Sequence, residues 1–292
     1  MVADIARAAR GMAAVAKAAG SDIERVQLAY LAVYACGYVG RGDLNRFKTL
    51  TAASSDTVFL ARLSATVTDR VEVSGIRVRS WDENTVYVQH GRLRAAVARH
   101  RIREEDLAEG RTVTVEVSAI LPGRLPGFVL RQGGRWPWAE PTTRLYLNIR
   151  ATQAAWVLGP LAVALDRAGI PYETKVLAHP RAYLRRDAAV IYVPTSEFDR
   201  AADLVAARVA GDGIRLADPV PTLTRRLGPG IGSADEPDDI GQGQSHGQWV
   251  SGLLTAAARK CADAETIAAA VRQAIRAAGR DPAAPYLRAG RA

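Results

Sequence analysis

The segment RLYLNIR (Arg144–Arg150) constrains the chain more than any other, because its alternation suits only an extended backbone. At a period of two, Leu145, Leu147 and Ile149 share one face, and Arg144, Tyr146, Asn148 and Arg150 share the other. A strand apolar on one side must lie against a core. Its other side then carries four donors on a rigid element, either as the solvated face of an edge strand or as the floor of a site. Downstream, ETKVLAHPRAYLRRDAAVIYVP (Glu173–Pro194) holds two further strands, Tyr172–Leu177 and Ala188–Val193, joined by a basic turn. Between them and the first strand, Val157, Leu161, Ala164, Leu165 and Ala168 recur at helical spacing and Gly169 marks the stop. Gly159-Pro160 predicts a kink in this helix or a later start, since an internal proline costs about 3 kcal/mol. The whole reads as a βαββ unit.

Elsewhere the pattern is mixed. Ser21 with Glu24 is a capping box opening a helix to about Gly37, and Asp56–Leu63 forms another. VEVSGIRVRS, NTVYVQ and RTVTVEVSAI, between Thr66 and Val117, predict a mostly antiparallel sheet, with LRAAVARHRI alternating less clearly. Leu121–Pro141, rich in Pro, Gly and Trp, is expected as a surface connection or lid. The Gly-rich run after Pro219 is expected as a long loop, followed by helices over Gln248–Cys261 and Asp263–Ala278 and a tail. The expected fold is α+β, with an N-terminal helical region over 1–65 and an α+β domain over 66–292.

A net charge of +9, mostly arginine, predicts an anionic partner. No apolar run reaches about 18 residues, so no membrane span is expected. The basic N-terminus lacks the uninterrupted apolar stretch of a signal peptide. Cys36 and Cys261 are expected as buried thiols in a reducing cytoplasm. The four histidines are scattered and no HExxH or CxxC occurs, which argues against a metal site. GxSxG is absent, GPGIGSADEPDDIGQGQ lacks the GK[ST] ending of a phosphate loop, and no nucleic-acid-binding signature accompanies the charge.

Two groups of residues carry candidate chemistry. Lys175 either snorkels from a strand edge or acts as a base, because the nearby Arg181, Arg185 and Arg186 favour a neutral amine and also suit a phosphate. His246 follows Ser245, a candidate N-cap, and is also a candidate acid because histidine titrates near neutrality. His179 lies in the basic turn.

RLYLNIR, the following helix, AGIPYETKVLAHPRAYLRRDAAVIYVP, PTLTRRLGPGIGSADEP and SHGQWVSGLL together resemble the Hop A-type effector family, named for a bacterial type III effector. LPGFVL and DPAAPYLR fit as well, and the resemblance runs from about Thr57 to the C-terminus. It implies a phosphothreonine lyase-like fold. It also implies a lyase that eliminates phosphate from phosphorylated Ser/Thr of a precursor peptide, giving dehydroalanine or dehydrobutyrine in lanthipeptide (class V) or thioamitide biosynthesis. An aminoglycoside-phosphotransferase-like kinase is the implied partner, and no metal or other cofactor is implied. Lys175 falls on the family's base and Arg144 on its strand arginine for phosphate. Arg185 or Arg186 falls near another phosphate ligand, with Arg226 assisting. Tyr146 stands where more distant lyases place an acidic histidine, and SHG stands where the family has SFG. The acid is therefore Tyr146, His246 or His179, or the leaving phosphate needs little protonation. The alternative function is a non-catalytic scaffold that binds the leader peptide or the kinase; a nucleic-acid binder is a third reading.

Overall fold

The structure is a computed structural model describing residues 2–52, 55–67, 69–90, 93–133, 140–237 and 244–290. Helix α1 (Val2–Ala18) buries Ile5, Ala8, Ala9, Met12 and Val15, one stripe at helical spacing. Ser21 caps α2 (Asp22–Leu28) through the Glu24 amide, and the chain continues as a π-helical stretch, Ala29–Ala35. After α3 (Asn45–Ala52), Asp56 caps α4 (Thr57–Thr66) by accepting from the Phe59 amide at 2.8 Å.

Strands β1 (Arg70–Trp81), β2 (Thr85–His90), β3 (Leu93–Ala98) and β4 (Thr112–Ser118) form an antiparallel sheet in the order β3-β2-β1-β4. Its period-two apolar face, with Ile76, Val78, Val86, Val88, Val113 and Val115, closes a small core of its own.

The second sheet is built from β5 (Ile120–Leu125), β6 (Phe128–Gly133) and β7 (Thr142–Leu147), then β8 (Tyr172–Leu177) and β9 (Ala189–Pro194). Helices α5 (Ala154–Trp156) and α6 (Ala162–Arg167) flank a π-helical stretch, Val157–Leu161, that contains Pro160. Having no N–H to donate, the proline sits where the helical register widens. Helix α7 (Phe198–Gly211) goes beyond the sequence expectations. Strands β10 (Arg225–Gly228) and β11 (Ile231–Asp235) precede α8 (His246–Lys260) and α9 (Ala264–Ala277). All pairings are antiparallel in the order β10-β11-β7-β9-β8-β6-β5.

Two expected loops are corrected. Leu121–Pro141 supplies the hairpin β5–β6, while residues 134–139 lie outside the described part. The Gly-rich run after Pro219 supplies the hairpin β10–β11, while 238–243 lie outside it. Both hairpins turn on a Pro-Gly pair, Pro126-Gly127 and Pro229-Gly230, whose glycines take φ of 78° and 69°. Only glycine reaches that region without strain, so the breakers mark turns between short strands and not an irregular segment.

One face of the seven-stranded sheet packs Leu145, Leu147, Val176, Ile191 and Val193 against Leu158, Leu161, Leu165, Phe198 and Val205 of the intervening helices. The first and last helices of the chain share a separate core, in which Met12, Tyr34, Val250, Leu254 and Val271 are buried together. That bundle meets the sheet's other face, where Arg186 donates its amide to Ala35 and Tyr30 reaches Asp187. Both cysteines are free and partly buried, and among the described residues no helix is long and apolar enough to cross a membrane.

Candidate functional site

Register decides which side chains meet. Arg144 stands opposite Tyr192, Tyr146 opposite Val190, and Lys175 opposite Val190 from the other side. Three adjacent strands thus direct Arg144, Tyr146, Tyr192 and Lys175 to one face. Phe128 arrives from β6, and Arg185 from the turn between β8 and β9. Above them lies a cleft of about 1070 Å³, lined also by Tyr30, in the π-helical stretch after α2, and by the N-terminal turn of α8.

Cations and aromatic rings alternate along the cleft. The Arg144 guanidinium stacks on Tyr192 at 4.6 Å, and the Lys175 ammonium lies 5.2 Å from Tyr192 and 4.5 Å from Phe128. Arg185 lies 5.6 Å from Phe128 and 5.4 Å from Tyr30. The negative faces of the rings hold three like charges in one place and keep them apart.

The two arginines are anchored but keep donors to spare. Arg144 gives Nε (2.7 Å) and Nη2 to Glu236, and Arg185 gives Nε (2.8 Å) and Nη2 (2.7 Å) to Asp187. Tyr30 braces the second pair: its hydroxyl donates to Asp187 at 3.2 Å and accepts from Arg185 at 3.3 Å. Burial works against the Asp187 carboxylate, yet Arg185 holds it below the usual carboxylate range. Among the described residues, neither Nη1 group makes a hydrogen bond, and Lys175 makes neither hydrogen bond nor ion pair.

The remaining sequence candidates lie elsewhere. Tyr146 is 2% exposed beneath the cleft floor, with its hydroxyl beside that of Tyr34. Burial pushes Tyr146 up to about 12, so it keeps its proton at neutral pH. His246 is fully buried, with Nε2 at 3.1 Å from the Leu223 carbonyl, and burial pushes it down to about 3. It is a neutral imidazole in the helical core. Ser245 caps α8 in a capping box with Gln248, and a Cβ on Gly247 would stand 2.5 Å from the Tyr34 ring, so SHG serves the seating of α8. His179 caps the basic turn by accepting from the Arg181 amide. Arg186 points away from the cleft, onto Gly37 and the Val220 carbonyl. Arg226 pairs with Asp218 at an exposed sheet edge.

Sequence reasoning missed Tyr30, Phe128, Asp187, Tyr192 and Glu236. Tyr192 was within reach, because AVIYVP alternates and sets it opposite Ile191 and Val193. Tyr30 was not, since nothing local in the helical stretch that carries it says which sheet residue it will meet.

The model of the HopA1 effector protein family matches residues 127–287, more than half of the chain, and spans Arg144, Lys175, Arg185 and α8. A comparison with curated proteins finds no match. Among solved structures, an effector protein from Pseudomonas syringae pv. syringae strain 61 is similar, with a TM-score of 0.57 and 19% identity over 99% of each chain. A second effector protein, from Pseudomonas syringae pv. tomato strain DC3000, has a TM-score of 0.49 and 14% identity, covering 97% of this chain and 98% of that one. The first of these likenesses extends over the α+β architecture as a whole, and the family match falls on the strands and helix that build the cleft: the chain belongs to the HopA1 effector protein family.

Proposed function

We propose that the cleft eliminates phosphate from phosphoserine or phosphothreonine in a peptide, leaving dehydroalanine or dehydrobutyrine. One observation carries this reading. Among the described residues, Lys175 is the cleft cation without a carboxylate at ion-pairing distance, and it stands between two arginines whose Nη1 donors are unused. The arginines suit a phosphate dianion, which offers more charge and more acceptors than the carboxylates they already hold. The lysine suits a base that must reach the neighbouring Cα–H.

The Lys175 amine takes the Cα proton. The freed electron pair forms the Cα=Cβ bond as the Cβ–O bond breaks, and phosphate departs with that bond's electrons. Arg144 and Arg185 tighten on the phosphate as its charge grows, so they favour the transition state over the bound peptide. The cleft-facing N-terminus of α8 adds a favourable dipole. The third negative charge of the departing phosphate is offset by Arg144 and Arg185, and solvent protonates the ion as it leaves, so the reading asks no proton of Tyr146 or His246. Phosphorylated substrate must come from a kinase, which makes a kinase acting on the same precursor the expected partner, in lanthipeptide-like peptide biosynthesis.

The test is mass spectrometry of a phosphothreonine precursor peptide incubated with wild type and Lys175→Ala, with and without the kinase. Wild type is expected to release phosphate and leave dehydrobutyrine, and Lys175→Ala to be about 10²–10⁴-fold slower at an unchanged Tm. Peptide or kinase binding without any elimination would replace the lyase by a scaffold.

A further inference from the structure

The cleft's cationic floor does not account for its mouth. Val26 of α2 and Leu125, at the end of β5, line the same cavity as Lys175, and they remain 44% and 37% exposed. Ile23, one helical turn before Val26, is 73% exposed and extends the apolar strip outward. Aliphatic side chains are normally drawn inside, and an exposed group of them beside a charged cleft marks a recognition surface. At the start of α8 the lining is polar, with Gln244, Ser245 and Gln248. A bound peptide therefore meets aliphatic lips at Val26 and Leu125, and amides at Gln27 and the start of α8, around the cations.

We infer that the cleft selects substrates carrying an aliphatic residue next to the phosphorylated one, and that Val26 and Leu125 are the specificity-determining residues that receive it. This inference rests on the phosphopeptide reading above. The occupant follows from continuity: a peptide whose phosphate reaches Arg144 and Arg185 lays its adjoining side chains on the walls of that same cavity. Charge excludes a basic flank, because three cations lie directly below. A small apolar contact of this kind separates substrates by about tenfold, and it acts on binding more than on the chemical step.

The experiment compares phosphothreonine peptides identical except for Leu or Asn before, after, or on both sides of the phosphothreonine. Phosphate release gives KM and kcat, and fluorescence anisotropy gives Kd, for wild type and for Val26→Ser/Leu125→Ser. Both residues are surface-exposed, so the variant is expected to fold, with circular dichroism as the check. Wild type should show KM and Kd about tenfold lower for the better Leu peptide with similar kcat, and the variant should bring that ratio close to one. Equal constants for Leu and Asn peptides in wild type would overturn the inference, as would a preference that survives in the variant. Weakened kinase association with peptide selectivity intact would overturn it too, by assigning the lips to a protein partner. Selective binding without phosphate release would instead sink the lyase reading and leave the lips in place. The two failures are therefore distinguishable.

Discussion

Arg131 and Arg185 are both buried arginines of the seven-stranded sheet region, on opposite faces, and their surroundings differ in kind. Arg131, on β6, points into the face covered by α5–α7 and is 2% exposed. It donates to Asp69 (2.6 Å), Asp166 (3.0 Å), the Leu158 carbonyl (2.8 Å) and the Tyr172 hydroxyl (3.1 Å). Nε, Nη1 and Nη2 are all engaged, and the charge ties β6 to the helix and to the segment before β1. Arg185 and Arg144 use Nε and Nη2 only, lie against aromatic rings, and open onto the cleft. A saturated arginine stabilises a fold, whereas one with donors left over can bind something else.

Substitutions at the two positions should separate these roles. Arg185→Lys, which keeps a cation beside the buried Asp187 carboxylate but removes the spare Nη1 donor, is expected to lower phosphate elimination by about 10²–10³-fold, the scale of losing one donor to a developing anion, at modest loss of stability. Steady-state kinetics beside thermal melts would check it; an equal loss of stability and activity would make Arg185 structural. Arg131→Met should do the opposite, destabilising the fold by about 3 kcal/mol in urea unfolding, because two carboxylates lose their shared cation. Once folded, it should retain turnover.

A smaller effect concerns His246. The unfolded chain takes up a proton near the ordinary value of 6.5, and the folded one only near 3, so the unfolded state binds more protons in between. Stability should therefore fall as the pH drops through that window, and it is unaffected above it. Between pH 7.5 and 5.5 this contributes about 1.4 kcal/mol of loss. His246→Phe, which buries a ring that cannot charge, should lack that contribution in paired denaturation curves. The smallest expected change is at Arg226. Its pairing with Asp218 is exposed on both sides, so Arg226→Ala should shift stability by no more than about 0.5 kcal/mol. A marked loss of elimination in that variant would return Arg226 to the phosphate site.

Legibility followed the range of the interaction. The caps at Ser21 and Ser245, the β7–helix–β8–β9 unit and the two C-terminal helices were readable, because each rests on neighbours a few residues apart. The two Pro-Gly hairpins were not, since strands of four to six residues hold too few alternations to outweigh the breakers beside them. Helix α7 had a signal that went unused: Phe198, Ala201 and Val205 recur at helical spacing, and Gly213 follows. In the site, Lys175, Arg144 and Arg185 could be named because charge beside apolar strands is conspicuous. Arg186 could not be told from Arg185, since one residue's difference in a turn reverses the side to which the chain points.

From its sequence alone, this protein was committed to a strand with Arg144 and Tyr146 on one face and to a further strand carrying Lys175. Periodicity requires no knowledge of the rest of the chain. Only the tertiary structure decided that Arg144 shares a row with Tyr192, that Arg185 and not Arg186 reaches the cleft, and that His246 serves the helical core. It alone brought Tyr30 against Asp187, 157 residues away in sequence. Strand register and the seating of a distant helix are set by the summed burial of whole faces, a quantity that no local stretch of residues contains.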